Sequence, residues 1–371
     1  MKADSITWGI LGPGRIANQF ANGLRYSSTG RLVAVASRDL SRAEAFATEY
    51  GADRAYGDYD ELLADPEIDA VYISTVHTEH ARWAIRAAEA GKHVLCEKPL
   101  SPEFATSMGI VDAGRKNGVV VLEGYMYLFH PQTTALLGLV ADGVIGEVQH
   151  IDASYSFRAR TASGRLFDAD LAGGGILDVG GYPASAAQAI VRAAGEAADA
   201  VSLTARSSLS ESGVDQFSSA SVVFAGGITA HLTSGIALAG ENRLVVSGSL
   251  GTLTVPRPWV LSPDSEGEII VSRAGEDPRI IVSAKGAVYA LEADAVAAAV
   301  SRSETDVVEL STDSSLALAR LLQRWRIAAG VVYAFEGNDI WIAPQNERRL
   351  GRRANYTATD GSRESTSGSP A

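Results

Sequence analysis

Three groups of residues carry types and spacings that could do chemistry. The first is Gly91-Lys92-His93-Val94-Leu95-Cys96-Glu97-Lys98-Pro99-Leu100-Ser101, an apolar, strand-like run that ends abruptly in Glu97, Lys98 and Pro99. Proline cannot donate to a strand ladder, so pairing stops there and the lysine is delivered at the carboxyl end of the strand, where open α/β sheets bind ligands. A lysine so placed is either a catalytic ammonium or half of a structural ion pair with Glu97. The second group is Gly173-Gly174-Gly175-Ile176-Leu177-Asp178-Val179-Gly180-Gly181-Tyr182. Three glycines would let backbone approach a ligand, and Asp178 and Tyr182, four apart, would share one helix face. Gly180, Gly181 and Pro183 oppose a regular helix and predict a kink. As bare residues, Asp178 also reads as a helix N-terminal charge and Tyr182 as a core ring with a satisfied hydroxyl.

The third group would hold an anion. Gly12-Pro13-Gly14-Arg15-Ile16-Ala17 follows a short apolar run and precedes a helical pattern. Gly12 permits the tight turn, Gly14 lets a pyrophosphate reach the backbone at Arg15 and Ile16, and Ala17 allows close helix packing. The next strand ends in Ser37-Arg38-Asp39. A hydroxyl and a guanidinium there suit a 2'-phosphate, so NADP is favoured over NAD, with Asp39 as either the NAD-type acid or a helix cap. A capping box, Ser41 with Glu44, is expected to open the following helix. Thr75-Val76-His77-Thr78-Glu79-His80 reads as a loop lining the cofactor cleft through Thr75, His77 and His80, in preference to a metal site.

These groups require strands alternating with helices. Strands are expected at 6–11, 32–36, 70–75, 93–97 and 119–123, with helices at 81–90 and 104–117, which implies a parallel, doubly wound sheet. From residue 150 the pattern becomes strands alone, at 151–157, 201–205, 220–224, 228–236, 244–247 and 253–255, with Gly226-Gly227 as a hairpin turn, and a core helix follows at 313–335. The expected fold is therefore an α/β chain: a Rossmann dinucleotide-binding domain at 1–124, then an α+β domain at 125–345 with a large, open, mostly antiparallel sheet. Arg348, Arg349, Arg352 and Arg353 lead into a polar tail at 346–371, read as a solvated, disordered end. One uncovered sheet face predicts a homodimer or larger.

With 371 residues, the chain can build two cores, and its net charge of -12 with no basic stripe argues against a nucleic-acid partner. The single cysteine, Cys96, rules out an internal disulfide and fits a reducing cytoplasm. No apolar run is long enough for a bilayer, so no membrane partner is expected.

The Gly12–Ala17 turn, the Glu97-Lys98-Pro99 stretch, and Glu123 followed by Phe129-His130-Pro131-Gln132 resemble the Gfo/Idh/MocA oxidoreductases. Val76 and Leu128 depart from the Pro and Arg usual there. The resemblance places Lys98 beside the nicotinamide, with Glu97 among the cofactor contacts, and makes Gly173 to Tyr182 the segment bordering it. Tyr182 in place of His is similar to the branch holding dimeric dihydrodiol dehydrogenases, D-xylose 1-dehydrogenases and glucose-fructose oxidoreductase. It implies an NADP-dependent enzyme moving hydride to or from a carbohydrate-like hydroxyl or carbonyl. Tyr182 would then be the proton-transferring group, shifted toward phenolate by Lys98, with Asp178 orienting the substrate. A non-catalytic NADP sensor and a nicotinamide-dependent glycoside hydrolase remain as alternatives.

Overall fold

The computed structural model describes residues 5–336; the basic cluster at 348–353, the tail and the end of the 125–345 region lie outside them. Two sheets organise the chain. Strands β1 (Ile6–Leu11), β2 (Gly30–Ala36), β3 (Arg54–Tyr56), β4 (Ala70–Ile73), β5 (His93–Glu97) and β6 (Val121–Gly124) form a six-stranded sheet in the order β3-β2-β1-β4-β5-β6, parallel throughout. Its central strands are apolar and buried on both faces, as helices covering both sides demand. Those helices are α1 (Arg15–Leu24), α2 (Leu40–Tyr50), α3 (Tyr59–Leu63), α4 (His80–Glu89) and α5 (Phe104–Asn117). The strand order reverses between β1 and β4, and a cleft opens at the carboxyl ends of the strands beside that switch.

The expected elements reappear with small changes of boundary. Helix α2 is capped by Asp39, whose carboxylate accepts from the Ser41 amide at 3.1 Å, rather than by a box of Ser41 and Glu44. Strand β3 and helix α3, which the sequence reading passes over, fill the chain between α2 and β4.

After helix α6 (Pro131–Ala141), the second sheet contains β7 (Val148–Ser156), β8 (Ala200–Leu209), β9 (Asp215–Phe224), β10 (Thr229–Gly235), β11 (Arg243–Gly248), β12 (Gly251–Val255), β13 (Glu268–Arg273) and β14 (Arg279–Val282), in the order β14-β13-β12-β11-β7-β10-β9-β8. All neighbours are antiparallel except β7 and β10. Register makes this sheet two-sided. Val255, Leu244, Ala153, Leu232, Ala220 and Ala205 form one row across it, all buried. The adjacent row, Thr254, Val245, Asp152, His231, Ser221 and Thr204, is half-buried or exposed and mostly polar. Period-two alternation thus puts the core on the face that α6, α7 (Gly181–Ala193) and α9 (Thr312–Ala329) cover.

Helix α8 (Val288–Ser301), also unforeseen, returns to the first half and packs on α1 so closely that a Cβ at Gly23 would lie 2.5 Å from that of Tyr289. Its Asp294 accepts from the Ser27 and Thr29 hydroxyls, each at 2.5 Å. Helix α9 runs from the Ser311 cap to Gly330, which closes it at φ +78°.

Trp325 on α9 is fully buried, and its Nε1–H donates to Ser218 Oγ at 2.8 Å, joining α9 to β9. Trp325→Ala is expected to lower unfolding free energy by about 3–5 kcal/mol, read from urea denaturation curves with an unchanged slope.

Candidate active site

The cleft beside the switch point encloses about 2340 Å³ and is lined by the residues expected to bind the cofactor and by Lys98, Asp178 and Tyr182, though not by Gly173, Gly174 or Gly175. Gly12 turns the chain at φ +91°, and Ser74 Oγ donates to its carbonyl at 2.8 Å. A Cβ at Gly14 would meet nothing nearer than the Gly12 carbonyl at 3.9 Å, so the space in front of the backbone is open. No side chain caps the α1 N-terminus, which leaves the first helical turn, at Arg15 and Ile16, directed at the cleft. Ser37 is buried at the tip of β2 with Arg38 exposed beside it. Asp39 is committed to capping α2, with its carboxyl held below the ordinary range by Ser41. Arg42, which the sequence reading did not single out, donates to the Pro13 carbonyl at 3.3 Å and lines the cleft with Arg38. One turn into a capped helix is a position that a strand-tip motif does not flag.

The loop after β4 is held by its histidines. His80 is fully buried, with Nδ1 facing the Pro99 carbonyl at 2.8 Å and Nε2 the Thr75 carbonyl at 3.3 Å. Burial brings its imidazole down to about 4, and the one N–H of the neutral ring donates to the nearer carbonyl, that of Pro99, holding the segment after Lys98. His77 Nδ1–H donates to the Ala172 carbonyl at 3.1 Å while Nε2 accepts from Arg165 at 3.2 Å. Burial, with Arg165 beside it, holds this imidazole neutral well below its ordinary range.

Lys98 does not pair with Glu97. The Glu97 carboxylate, raised in pKa by burial, accepts from Tyr72 Oη at 2.5 Å, whereas Lys98 Nζ donates across the cleft to the Asp178 carbonyl at 2.5 Å. The chain beyond is fixed by Glu123, whose buried carboxylate accepts from the Leu100 amide at 2.7 Å. Asp178 Oδ1 receives Arg165 Nη2 at 2.8 Å. Burial works to raise its carboxyl, but Lys98 and Arg165 outweigh it and hold the group ionised below the ordinary range. Arg165 thereby bridges His77 of the first half to Asp178 of the second. Leu128 is buried in the core.

Tyr182 differs from expectation in one respect. Its ring sits 5.6 Å from Lys98 Nζ, packed among Tyr125, Tyr127, Tyr155 and Trp259, but its hydroxyl donates to Met126 Sδ at 3.4 Å. Lys98 therefore does not pull it toward phenolate: burial, reinforced by Tyr289 and Glu97, pushes the phenol well above its ordinary range. The expected kink is also resolved differently. Ile176–Gly180 forms a π-helical turn that runs straight into α7, with Pro183 near the start of that helix. The three glycines approach protein rather than ligand. A Cβ at Gly173 would lie 2.6 Å from the Leu166 carbonyl, one at Gly174 2.3 Å from Asp215 Oδ1, and one at Gly175 3.2 Å from Gly235 Cα.

Residues 6–125 match the model of the oxidoreductase family with an NAD-binding Rossmann fold, and residues 134–254 that of the GFO/IDH/MocA C-terminal domain. A trans-1,2-dihydrobenzene-1,2-diol dehydrogenase of Mus musculus is 35% identical over 69% of this chain and 76% of that protein. The chain belongs to the GFO/IDH/MocA oxidoreductase family. A D-xylose 1-dehydrogenase (NADP+) of Haloferax volcanii is 41% identical over 49% of the chain and 56% of that protein. Among solved structures, the 3-ketoreductase KijD10 of Actinomadura kijaniata, in complex with NADP and TDP-benzene, superposes with a TM-score of 0.79 at 29% identity, covering 88% of this chain and 98% of that one. As a member of this family the chain is an NAD(P)-dependent oxidoreductase. The open approach at Gly14, the uncapped α1 N-terminus and the two cleft-facing guanidiniums fit such a dinucleotide.

Replacing Arg165 by Met removes the cation on Asp178 Oδ1. The Asp178 carboxyl is expected to titrate at higher pH in that variant, observable by carboxyl-carbon NMR against an Asp178→Asn reference.

Proposed function

We propose that the enzyme is an NADP-dependent oxidoreductase of a carbohydrate or polyol, exchanging hydride at a CH–OH or carbonyl carbon while Tyr182 exchanges the proton. The observation that carries this reading is the meeting of Lys98, Asp178 and Tyr182 at one end of a cleft whose other end holds the glycine turn and Arg38. The named activities of the relatives, on a diol, an aldose and a keto group, support the same class. When bound, the nicotinamide supplies the hydride acceptor or donor. Gly12, Gly14, Arg15 and Ile16 would hold the pyrophosphate, and Arg38 with Arg42 the 2'-phosphate.

The chain's own groups handle the proton. Burial keeps Tyr182 protonated, so its hydroxyl, released from Met126 Sδ, would pass its proton to a carbonyl oxygen as hydride arrives, with Lys98 Nζ stabilising the developing charge and lowering the cost of that transfer. In the oxidative direction the same hydroxyl must first lose its proton, so oxidation calls for alkaline pH. Asp178, kept ionised, has Oδ1 on Arg165 and offers Oδ2 to a neighbouring substrate hydroxyl. Residues 1–124 would carry the cofactor and 125–345 the substrate wall, with the polar outer row of the second sheet as a face for a second copy. A single free cysteine, Cys96, buried in β5, accords with a reducing, cytoplasmic setting.

A panel of aldoses, inositols, diols and keto sugars, scored by NADPH absorbance, tests the class. On the best substrate, Tyr182→Phe is expected to cost two to four orders of magnitude in turnover with NADPH affinity retained, and reduction to outrun oxidation at pH 7 with the order reversing as pH rises. Near-parent turnover in that variant would remove Tyr182 from the mechanism. Arg38→Ala should weaken NADP binding at least tenfold more than NAD binding by fluorescence titration; equal losses would count against the 2'-phosphate assignment. Light scattering is expected to return at least twice the monomer mass, and a monomer across the working range would dispose of the sheet-face interface.

A further inference from the structure

Asp215 opens β9 and is fully buried. Its Oδ2 accepts from the Ile176 amide, the first residue of the π-helical turn, at 2.7 Å, and its Oδ1 has no hydrogen-bond partner among the described residues. Around it the backbone is packed tightly enough that only glycine fits at 174, where φ is +107°. A carboxylate buried like this is costly unless something needs it. The same turn that begins at Ile176 presents the Asp178 carbonyl to Lys98 Nζ, carries the Asp178 carboxylate, and leads into Tyr182. The two ends of the short turn are thus held by two side chains: Asp215 from behind on an N–H, and Lys98 from the cleft on a carbonyl.

We infer that Asp215 is a positioning residue for the reaction, its carboxylate fixing the Ile176 amide so that the turn holds Asp178 and Tyr182 in register with Lys98, and that this grip tightens when the carboxylate ionises. The charged and titratable groups that act on it are Arg326 and Tyr333. Arg326, on α9, is locked to Glu336 and to the Pro102 carbonyl, and Tyr333, beyond the end of that helix, stacks on Arg326 and donates to the Gly173 carbonyl. Burial drives the Asp215 carboxyl up, backbone amides and Arg326 draw it partly back, and the balance lies at about 7. An ionised acceptor holds an amide roughly twice as strongly as a neutral one. Turnover should therefore climb as pH rises through neutrality. Stability runs the other way: a carboxyl whose pKa is raised by folding contributes fully below its unfolded value and loses that contribution as pH rises toward 7.

This role presupposes the catalytic reading of Lys98 and Tyr182, so its primary test does not use turnover. The full chain, loaded with NADP and labelled with ¹⁵N-isoleucine, is followed by NMR from pH 5.5 to 8.5. The Ile176 amide is expected to titrate near neutrality in the parent and to lie flat in Asp215→Asn, which keeps the shape and an acceptor oxygen but cannot ionise. A flat Ile176 amide in the parent, or the same titration in both proteins, overturns the proposal. Should Asp215→Asn not fold, the Asp215 carboxyl carbon is followed in the parent and is expected to titrate together with the Ile176 amide; different midpoints overturn the proposal. On the substrate returned by the panel, kcat of Asp215→Asn should match the parent within twofold at pH 5.5 and fall about tenfold below it at pH 8, with NADPH affinity unchanged within twofold. Parallel pH profiles overturn it. Glu123, which burial also places at about 7, is untouched in the variant, so its titration stays in both profiles. Should Tyr182→Phe retain parent turnover while the Ile176 amide still titrates through Asp215, the catalytic reading fails and the anchoring of the turn stands.

Discussion

The bond from Lys98 Nζ to the Asp178 carbonyl is the contact on which the site's geometry hangs. It joins the carboxyl end of a parallel strand to a turn borne by the other sheet, so each half supplies what the other lacks. An ammonium reaching across a cleft needs a fixed acceptor, and a carbonyl inside a regular α-helix is already spent on an N–H four residues on. In the π-helical pattern of Ile176–Gly180 a carbonyl pairs five residues on, and five on from Asp178 is Pro183, which has no N–H, while behind the turn Asp215 holds the Ile176 amide and Tyr333 the Gly173 carbonyl just before it.

Charge in the cleft is organised around the same bond. Arg165 and Lys98 keep the Asp178 carboxyl ionised despite its burial, while His77, pressed between Arg165 and the Ala172 carbonyl, stays neutral. Glu97 is turned away onto Tyr72, leaving the ammonium available. Tyr182, buried among rings and with the Glu97 carboxylate near enough to disfavour a second negative charge, retains its proton. Each group's state follows from its surroundings: burial sets Tyr182 and His77, and the cations on Asp178 overcome it.

Much of this was legible in the residues. The glycine turn, the strand ending at Lys98-Pro99 and the alternation of β and α elements are local signals, and the structure brings the glycine turn and Lys98 to one cleft, as they imply. Where contrast along the chain is low, the pattern is silent: α8 is alanine-rich, and β13 and β14 are short. Other features depend on distant partners. Nothing near Gly173-Gly174-Gly175 reveals that Asp215, Gly235 and the Leu166 carbonyl will crowd them, so the triplet looked like a ligand contact. The direction of the Tyr182 shift depends on four aromatic neighbours drawn from separate segments, and Arg42 enters the cleft only once Asp39 has set the start of α2.

Helix α8 gives the molecule a further property. Through Asp294 it clasps the Ser27–Thr29 corner, and through Tyr289 it seals itself onto α1 while lending that ring to the cleft wall. The two halves are thereby stitched together, and swinging them apart would break several hydrogen bonds at once and expose apolar surface. The segment that carries Arg158, Arg160 and Arg165 is tied in by its own backbone, through the Ala159 amide on the Ile236 carbonyl and a bridge between Arg158 and Ala237, so the cleft is walled by fixed main chain on that side as well.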